Sequence, residues 1–308
     1  MRIAVNCRSV LLSNRTGIGR YTYHLLDALG GIDPINGYVL YAPKRLFDVK
    51  RQIPFFPYRN FKASYDYFHG GPPAADVYHV PCPDNLVRFD GKLVATIHDL
   101  IYQTYPQGHT RQTIAMTHHF MEQTVKRADK IICASESTRR DLHAFFDFPK
   151  EKSCTILNGV DHRIFYPLQD KREALSFLKE CGMEPGFILF VGTIEPRKNL
   201  PGLLEAMGRV KAEGRAPPVL VVAGMSGWMG EQTAPMVRRL GLERRVIFTG
   251  YVSDEQLNML YNTCGVFVFP SFYEGFGFPI LEAFCAGAAV VVSKTSSCLE
   301  IAGDAAPA

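Results

Sequence analysis

None of the eight cysteines stands in a CxxC pair, and most sit among apolar residues. That spacing excludes a zinc ribbon or a disulfide framework and fits the reduced thiols of a cytoplasmic protein. Long hydrophobic runs are missing too. The longest, such as 283–292, falls well short of the ~18 residues a membrane span needs, so any membrane contact is expected to be peripheral, at the inner face. The opening MRIAVNCRSVLL has its apolar run broken by Asn6 and Arg8 and lacks a small-residue cleavage site, so it reads as a first strand. Charge of one sign is scarce. Against 30 acidic residues, 34 basic ones leave a net +4, which favours phosphorylated ligands or an anionic surface but is no nucleic-acid footprint. His118 and His119 are adjacent on a helical stretch and point to different sides, so neither a metal nor a cofactor is expected.

What is present is enough apolar residue for two cores, 47% of 308. Strand and helix patterns alternate twice. In the first half, strands are expected near 3–7, 38–41, 77–80, 93–97, 130–134 and 155–157, with helices most clearly at 21–29 and 111–128. In the second, strands fall at 188–191, 219–223, 246–248, 266–269 and 289–292, separated by helices near 203–213, 232–240, 255–262 and 280–286. Ser253 with Gln256 forms a capping box. This alternation predicts an α/β chain with two doubly wound, Rossmann-like domains, 1–165 and 166–308, joined by a linker at 158–168.

The most informative stretch is VFVFPSFYEGFGFPILEAFCAG at 266–287. An apolar strand ends at Pro270, a glycine-rich turn follows, and Pro279 suits the first turn of a helix. Glu274 falls in the turn and Glu282 at the helix start. Singly, each glutamate is explained by solvation or by the helix macrodipole. As a pair framing Gly275, Phe276, Gly277 and Pro279 beyond a strand's carboxyl end, they suit a polyhydroxylated, phosphate-bearing ligand. The segment resembles the E-x7-E signature of the retaining glycosyltransferases of family 4, also called group 1. The resemblance extends over nearly the whole chain, including the interdomain-like ILNGVDHRIFYP, and implies the GT-B architecture of two domains facing a cleft. Family members continue for several dozen residues past the position of Ala308, so the second domain is expected to be incomplete, with an apolar surface exposed near Val290, Val292 and Ile301.

Three further elements carry chemistry. Asn14-Arg15-Thr16-Gly17-Ile18-Gly19-Arg20-Tyr21 opens the first helix, where Gly17 and Gly19 let a ligand approach backbone amides. Gly192-Thr-Ile-Glu-Pro-Arg197-Lys198-Asn199 follows a strand and resembles the family's G-x5-K-N element. An arginine fork and a lysine point charge suit a diphosphate that gains charge as the glycosyl bond breaks. Thr96-Ile97-His98-Asp99-Leu100 ends a strand, with His98 able to donate to a sugar hydroxyl or phosphate and Asp99 able to orient it or bind the acceptor. Polysaccharide mannosyltransferases of the family carry a similar HDL. Gly224, Tyr251 and Val252 end strands where a nucleobase pocket is expected. The segment 44–62 interleaves six basic residues and five aromatics with one acid, a candidate surface for an anionic membrane or a lipid-diphosphate acceptor.

The resemblance thus implies a retaining hexosyltransferase using a nucleotide-sugar, GDP-mannose first and UDP-glucose next, on a glycan or lipid-linked acceptor in cell-surface polysaccharide synthesis. Glu282 is expected on the ribose, Glu274 on the sugar, and Arg197 with Lys198 on the leaving diphosphate. Two other readings stay open: a sugar-nucleotide-binding protein without turnover, and a glycosidase built on two carboxylates.

Overall fold

Runs of Val, Ile and Phe bounded by glycine and proline pair in parallel throughout the described residues, and in the second half every strand is followed by a helix. The computed structural model describes residues 1–11, 17–44, 51–68, 70–83, 87–225, 227 and 230–306. They divide into two compact units, one of Met1–Gln103 and His109–Leu157, the other of Thr104–Gly108 and Asn158–Ala308.

The first unit holds β1 (Arg2–Asn6), α1 (Gly17–Ile32), β2 (Gly37–Pro43), β3 (Phe61–Asp66), β4 (Val77–Val80), β5 (Lys92–Ile97), α2 (Ile101–Thr104, except its last residue), α3 (Arg111–Arg127), β6 (Lys130–Cys133), α4 (Glu136–Phe145) and β7 (Ser153–Thr155). Its sheet order is β3-β2-β1-β4-β5-β6-β7, the doubly wound pattern that reverses direction between β1 and β4. Strand residues on its two faces build separate cores, around Tyr78, Ile97 and Leu142 on one side and Val5, Leu26 and Leu40 on the other. Thr110 and Ser135 cap α3 and α4 by accepting from Thr113 N–H and Thr138 N–H.

The second unit holds α5 (Arg172–Glu180), β8 (Ile188–Val191), α6 (Leu200–Ala212), β9 (Leu220–Ala223), α7 (Gly230–Arg239), β10 (Val246–Gly250), α8 (Asp254–Thr263), β11 (Val266–Phe269), α9 (Phe278–Cys285), β12 (Val290–Val292) and α10 (Ser296–Ala302). Its order, β10-β9-β8-β11-β12, reverses between β8 and β11. The capping box of α8 forms as the sequence predicts.

Several expectations need correction. The strand expected at 155–157 lies at Ser153–Thr155, and Ile156 and Leu157 are exposed beyond it. β3, which starts where the basic, aromatic segment ends, gives no sequence signal because an edge strand needs only one buried side and FKASYD lacks an apolar run. Within that segment Phe56, Tyr58 and Phe61 pack into the first unit's core, leaving Phe55 exposed, so the aromatics do not form one surface; residues 45–50 lie outside those described. Glu282 is the fifth residue of α9, not its start. Val290 and Val292 are buried in the core with Cys298 and Ala302 of α10, because that short helix covers β12; Val291, pointing the other way, is the exposed one. Among the described residues no helix is long and apolar enough to cross a membrane.

Candidate active site

In the second unit, the residues after β8 and those after β11 meet at the point where the strand order reverses, the usual ligand position of an open α/β sheet. Backbone and side chain stitch the two loops together. Arg197 C=O accepts from Phe272 N–H at 2.7 Å, and Asn199 Nδ2 donates to Pro270 C=O at 3.2 Å. Asn199 is held in the left-handed region, φ 55°, and its side chain also caps α6 through Gly202 N–H. A single residue thus ends the turn Pro196–Lys198, starts α6 and ties the second loop.

The stitching brings together three residues named from sequence. Glu274 Oε1 accepts from Lys198 Nζ and Oε2 from Arg197 Nη1, both at 2.6 Å. Arg197 turns its other nitrogen, Nη2, to Glu195 at 2.6 Å. Lys198 and Glu274 are buried. Burial pushes the Glu274 carboxyl up, but the neighbouring Lys198 and then Arg197 outweigh it and hold the group below the usual carboxylate range. Two cations and two carboxylates therefore form one balanced network. The sequence suggested a pair of cations awaiting a diphosphate; the structure gives them a shared counterion.

Glu282, on α9, is buried and accepts from Tyr261 OH at 3.2 Å. Gly277 caps α9 at φ 103°, while Gly275 and Phe276 are buried in the turn before it. Gly192, Gly224 and Gly250 end three adjacent strands, all at positive φ. Gly192 N–H donates to Ala223 C=O and Gly224 N–H to Gly250 C=O, so the strand ends close up as a bare backbone ledge. A Cβ on Gly224 would lie 2.2 Å from the Gly192 oxygen, so only glycine fits. Tyr251 is exposed and Val252 half-buried just beyond the ledge.

In the first unit, His98 follows β5. Its Nε2 lies 2.8 Å from Pro81 C=O, and since a carbonyl only accepts, Nε2 carries the proton. Burial lowers the pKa of His98, against the Pro81 bond and the charge of Asp99, so the ring is neutral at pH 7 and Nδ1 is an acceptor. That alters the expected role: a neutral His98 of this tautomer accepts from a hydroxyl and cannot donate to a phosphate. Asp99 does not orient the ring; its Oδ1 accepts from Ile101 N–H at the start of α2. Tyr21 of α1 packs edge-on to His98, 4.6 Å between centroids, and its hydroxyl shares a hydrogen bond with Thr96 Oγ1, which also meets His79 Nε2 at 2.9 Å. Neither Tyr21 nor His79 was named from sequence as part of this group. Gly17 and Gly19 lie in the first turn of α1, Gly17 exposed and Gly19 buried; Asn14, Arg15 and Thr16 fall outside the described residues.

Two Rossmann-like units of this order define the GT-B class of fold. Solved structures agree: sucrose-phosphate synthase from Thermosynechococcus elongatus superposes with TM-score 0.72 at 20% identity, covering 96% of this chain and 82% of that one. HepE of Anabaena, solved with UDP and glucose, gives 0.67 at 17%, with 97% and 82% covered. Family models for glycosyltransferase family 4 and for glycosyl transferases group 1 match residues 15–163 and 172–307. The chain belongs to this family of glycosyltransferases. It is 34% identical over 233 residues to O-antigen chain mannosyltransferase B of Escherichia coli, covering 74% of this chain and 60% of that protein. Against the serotype-specific mannosyltransferase WbdA of the same organism it is 33% identical over 235 residues, covering 74% of this chain and 28% of the relative.

Proposed function

We propose that the protein transfers a hexose, mannose by analogy with these relatives, from a nucleotide-sugar to a growing cell-surface polysaccharide, with retention of anomeric configuration. The observation that carries this is the joining of Glu274 to Arg197 and Lys198 at the strand-order reversal of the second unit. In this reading the donor's diphosphate displaces part of the cations' pairing to Glu274, which frees that carboxylate to accept from sugar hydroxyls. Glu282 accepts from the ribose, and Gly192 with Gly224 offers the diphosphate a surface free of side chains. Tyr251 and Val252 border the nucleobase. His98 accepts from a carbohydrate hydroxyl through Nδ1.

The same pairing speaks to mechanism. A carboxylate that keeps part of its pairing to Arg197 and Lys198 while it accepts from sugar hydroxyls is a poor covalent nucleophile, which favours a front-face displacement in which leaving-group stabilisation is the largest contribution. It also argues against a glycosidase, whose acid needs a raised pKa where Glu274 has a lowered one.

The test is nucleotide release from a panel of GDP- and UDP-sugars, with and without acceptor glycan. Replacing Arg197 and Lys198 together by Ala is expected to lower turnover by ~10²–10³, the cost of losing a preorganised charge at the transition state. Normal turnover in that variant at saturating donor refutes the assignment. Tight donor binding without any release in the unaltered protein favours the binding-protein reading instead.

A further inference from the structure

The segment 293–297, reading SKTSS from the end of β12 into the first turn of α10, turns its hydroxyls to the loop that carries Glu274. Ser293 Oγ and Thr295 Oγ1 both donate to Ser271 C=O, at 2.5 and 2.8 Å. Ser296 Oγ accepts from Glu274 N–H at 2.8 Å. Ser297 Oγ lies within donating distance of both Glu274 C=O, at 2.9 Å, and Phe276 C=O, at 2.8 Å. Both polar groups of the Glu274 backbone therefore meet one of two consecutive serines, the single Ser297 proton being shared between Glu274 C=O and Phe276 C=O.

Serines at a helix start ordinarily cap their own helix by accepting from its first N–H groups. These do not, and α10 has no side-chain cap bond. Ser296 is moreover one of only two non-glycine residues with positive φ among those described, at 47°. The other, Asn199, belongs to the loop that carries Arg197 and Lys198. Strain of this kind persists where the surroundings over-determine it, and it clusters at functional sites. Ser297 is fully buried. Neither hydroxyl bonds the Glu274 carboxylate.

We infer that Ser296 and Ser297 are positioning residues that fix the Glu274 backbone, and through it the angle at which the carboxylate meets Lys198, Arg197 and a donor sugar. They set sugar recognition and turnover while leaving nucleotide affinity untouched. The inference rests on the donor reading of Glu274 given above.

The test compares Ser296→Ala, Ser296→Gly, Glu274→Gln and the doubles S296A/E274Q and S296G/E274Q. Glycine adopts the observed φ freely, so Ser296→Gly removes the hydroxyl without threatening the fold. Rates of GDP release from GDP-mannose and calorimetric affinities for GDP and GDP-mannose are measured. Both Ser296 variants are expected to lower kcat by ~10-fold, the effect of an unsatisfied buried N–H. They should also shrink the affinity advantage of GDP-mannose over GDP while GDP affinity itself holds. Added to Glu274→Gln, they should cost nothing more, because they act through Glu274. Losses that multiply in the doubles, wild-type turnover in Ser296→Gly, or GDP affinity falling in step overturns the inference. Wild-type turnover in Glu274→Gln overturns the donor reading itself, and this inference with it.

Discussion

Replacing Lys198 by Met separates the structural weight of the central ion pair from its chemistry. Lys198 and Glu274 side chains are 9% and 8% exposed, with Nζ and Oε1 2.6 Å apart and Nζ also 4.8 Å above the Phe269 ring. Methionine fills nearly the same volume, so the cavity term is small. Glu274 keeps Arg197 on its other oxygen. The expected loss is therefore that of one charge-assisted hydrogen bond, ~1.5–3 kcal/mol, rather than the ~3–5 kcal/mol of a buried charge with no partner. For a unit of this size that is a fall in Tm of about 3–12 °C by calorimetry at pH 7. The sign of the pH dependence is fixed by the lowered pKa of Glu274. Its pairing contributes stability above the ordinary carboxylate pKa of about 4.3 and loses it as pH falls through the lower folded value. The gap between the two proteins should accordingly narrow as the medium is acidified below the ordinary carboxylate pKa and through the lower folded value, beyond which Glu274 is neutral in both. Equal Tm at pH 7, or a deficit that persists unchanged into acid, refutes the reasoning.

Glu282→Ala is expected to weaken binding of GDP or UDP by roughly tenfold or more, since Tyr261 OH and the ribose lose a buried charged acceptor; titration calorimetry with unchanged affinity would reject the ribose assignment. Gly224→Ala forces a methyl against the Gly192 carbonyl at φ 148°, so the second unit should lose several degrees of Tm together with nucleotide binding. In the first unit, burial and then His98 push the His79 ring down to about 4. A depressed histidine leaves stability whole above the ordinary pKa of about 6.5 and erodes it as pH falls toward the folded value, so His79→Gln should flatten the Tm profile between about pH 6.5 and 4.

Much of the architecture could be read from pattern because parallel strands covered on both sides are continuous apolar runs. Ile188–Val191 and Val266–Phe269 lie where the run of Val, Phe and Leu places them. Where one side is not covered, that signal fails. β3 carries Lys62, Ser64 and Asp66 because it is a sheet edge, and α4, reading ESTRRDLHAF, buries few of its residues and shows too weak an apolar stripe to stand out. The buried Val290 and Val292 mark the converse error. The strand is legible at 289–292; the seven residues of helix after it give little sequence signal, yet α10 is enough to cover β12.

The site divides along the same physical line. Residue types whose chemistry is rare in their setting were visible: two glutamates around a glycine turn, an Arg-Lys pair after a strand, a histidine at a strand end. Their partners were not, because pairing is decided by which loops the sheet order brings together. β8 and β11 are 74 residues apart from the end of one to the start of the next, counting 192–265, and only their adjacency in the sheet turns Arg197 and Lys198 from solvent-facing cations into counterions of Glu274. Serine is the extreme case. A serine at the start of a short helix is so common a cap that composition gives no reason to look further, and only the direction of a hydroxyl, toward Glu274 N–H rather than toward the N–H groups of its own helix, separates a cap from a support. That direction depends on a single strained φ at Ser296, a quantity no pattern of residue types records.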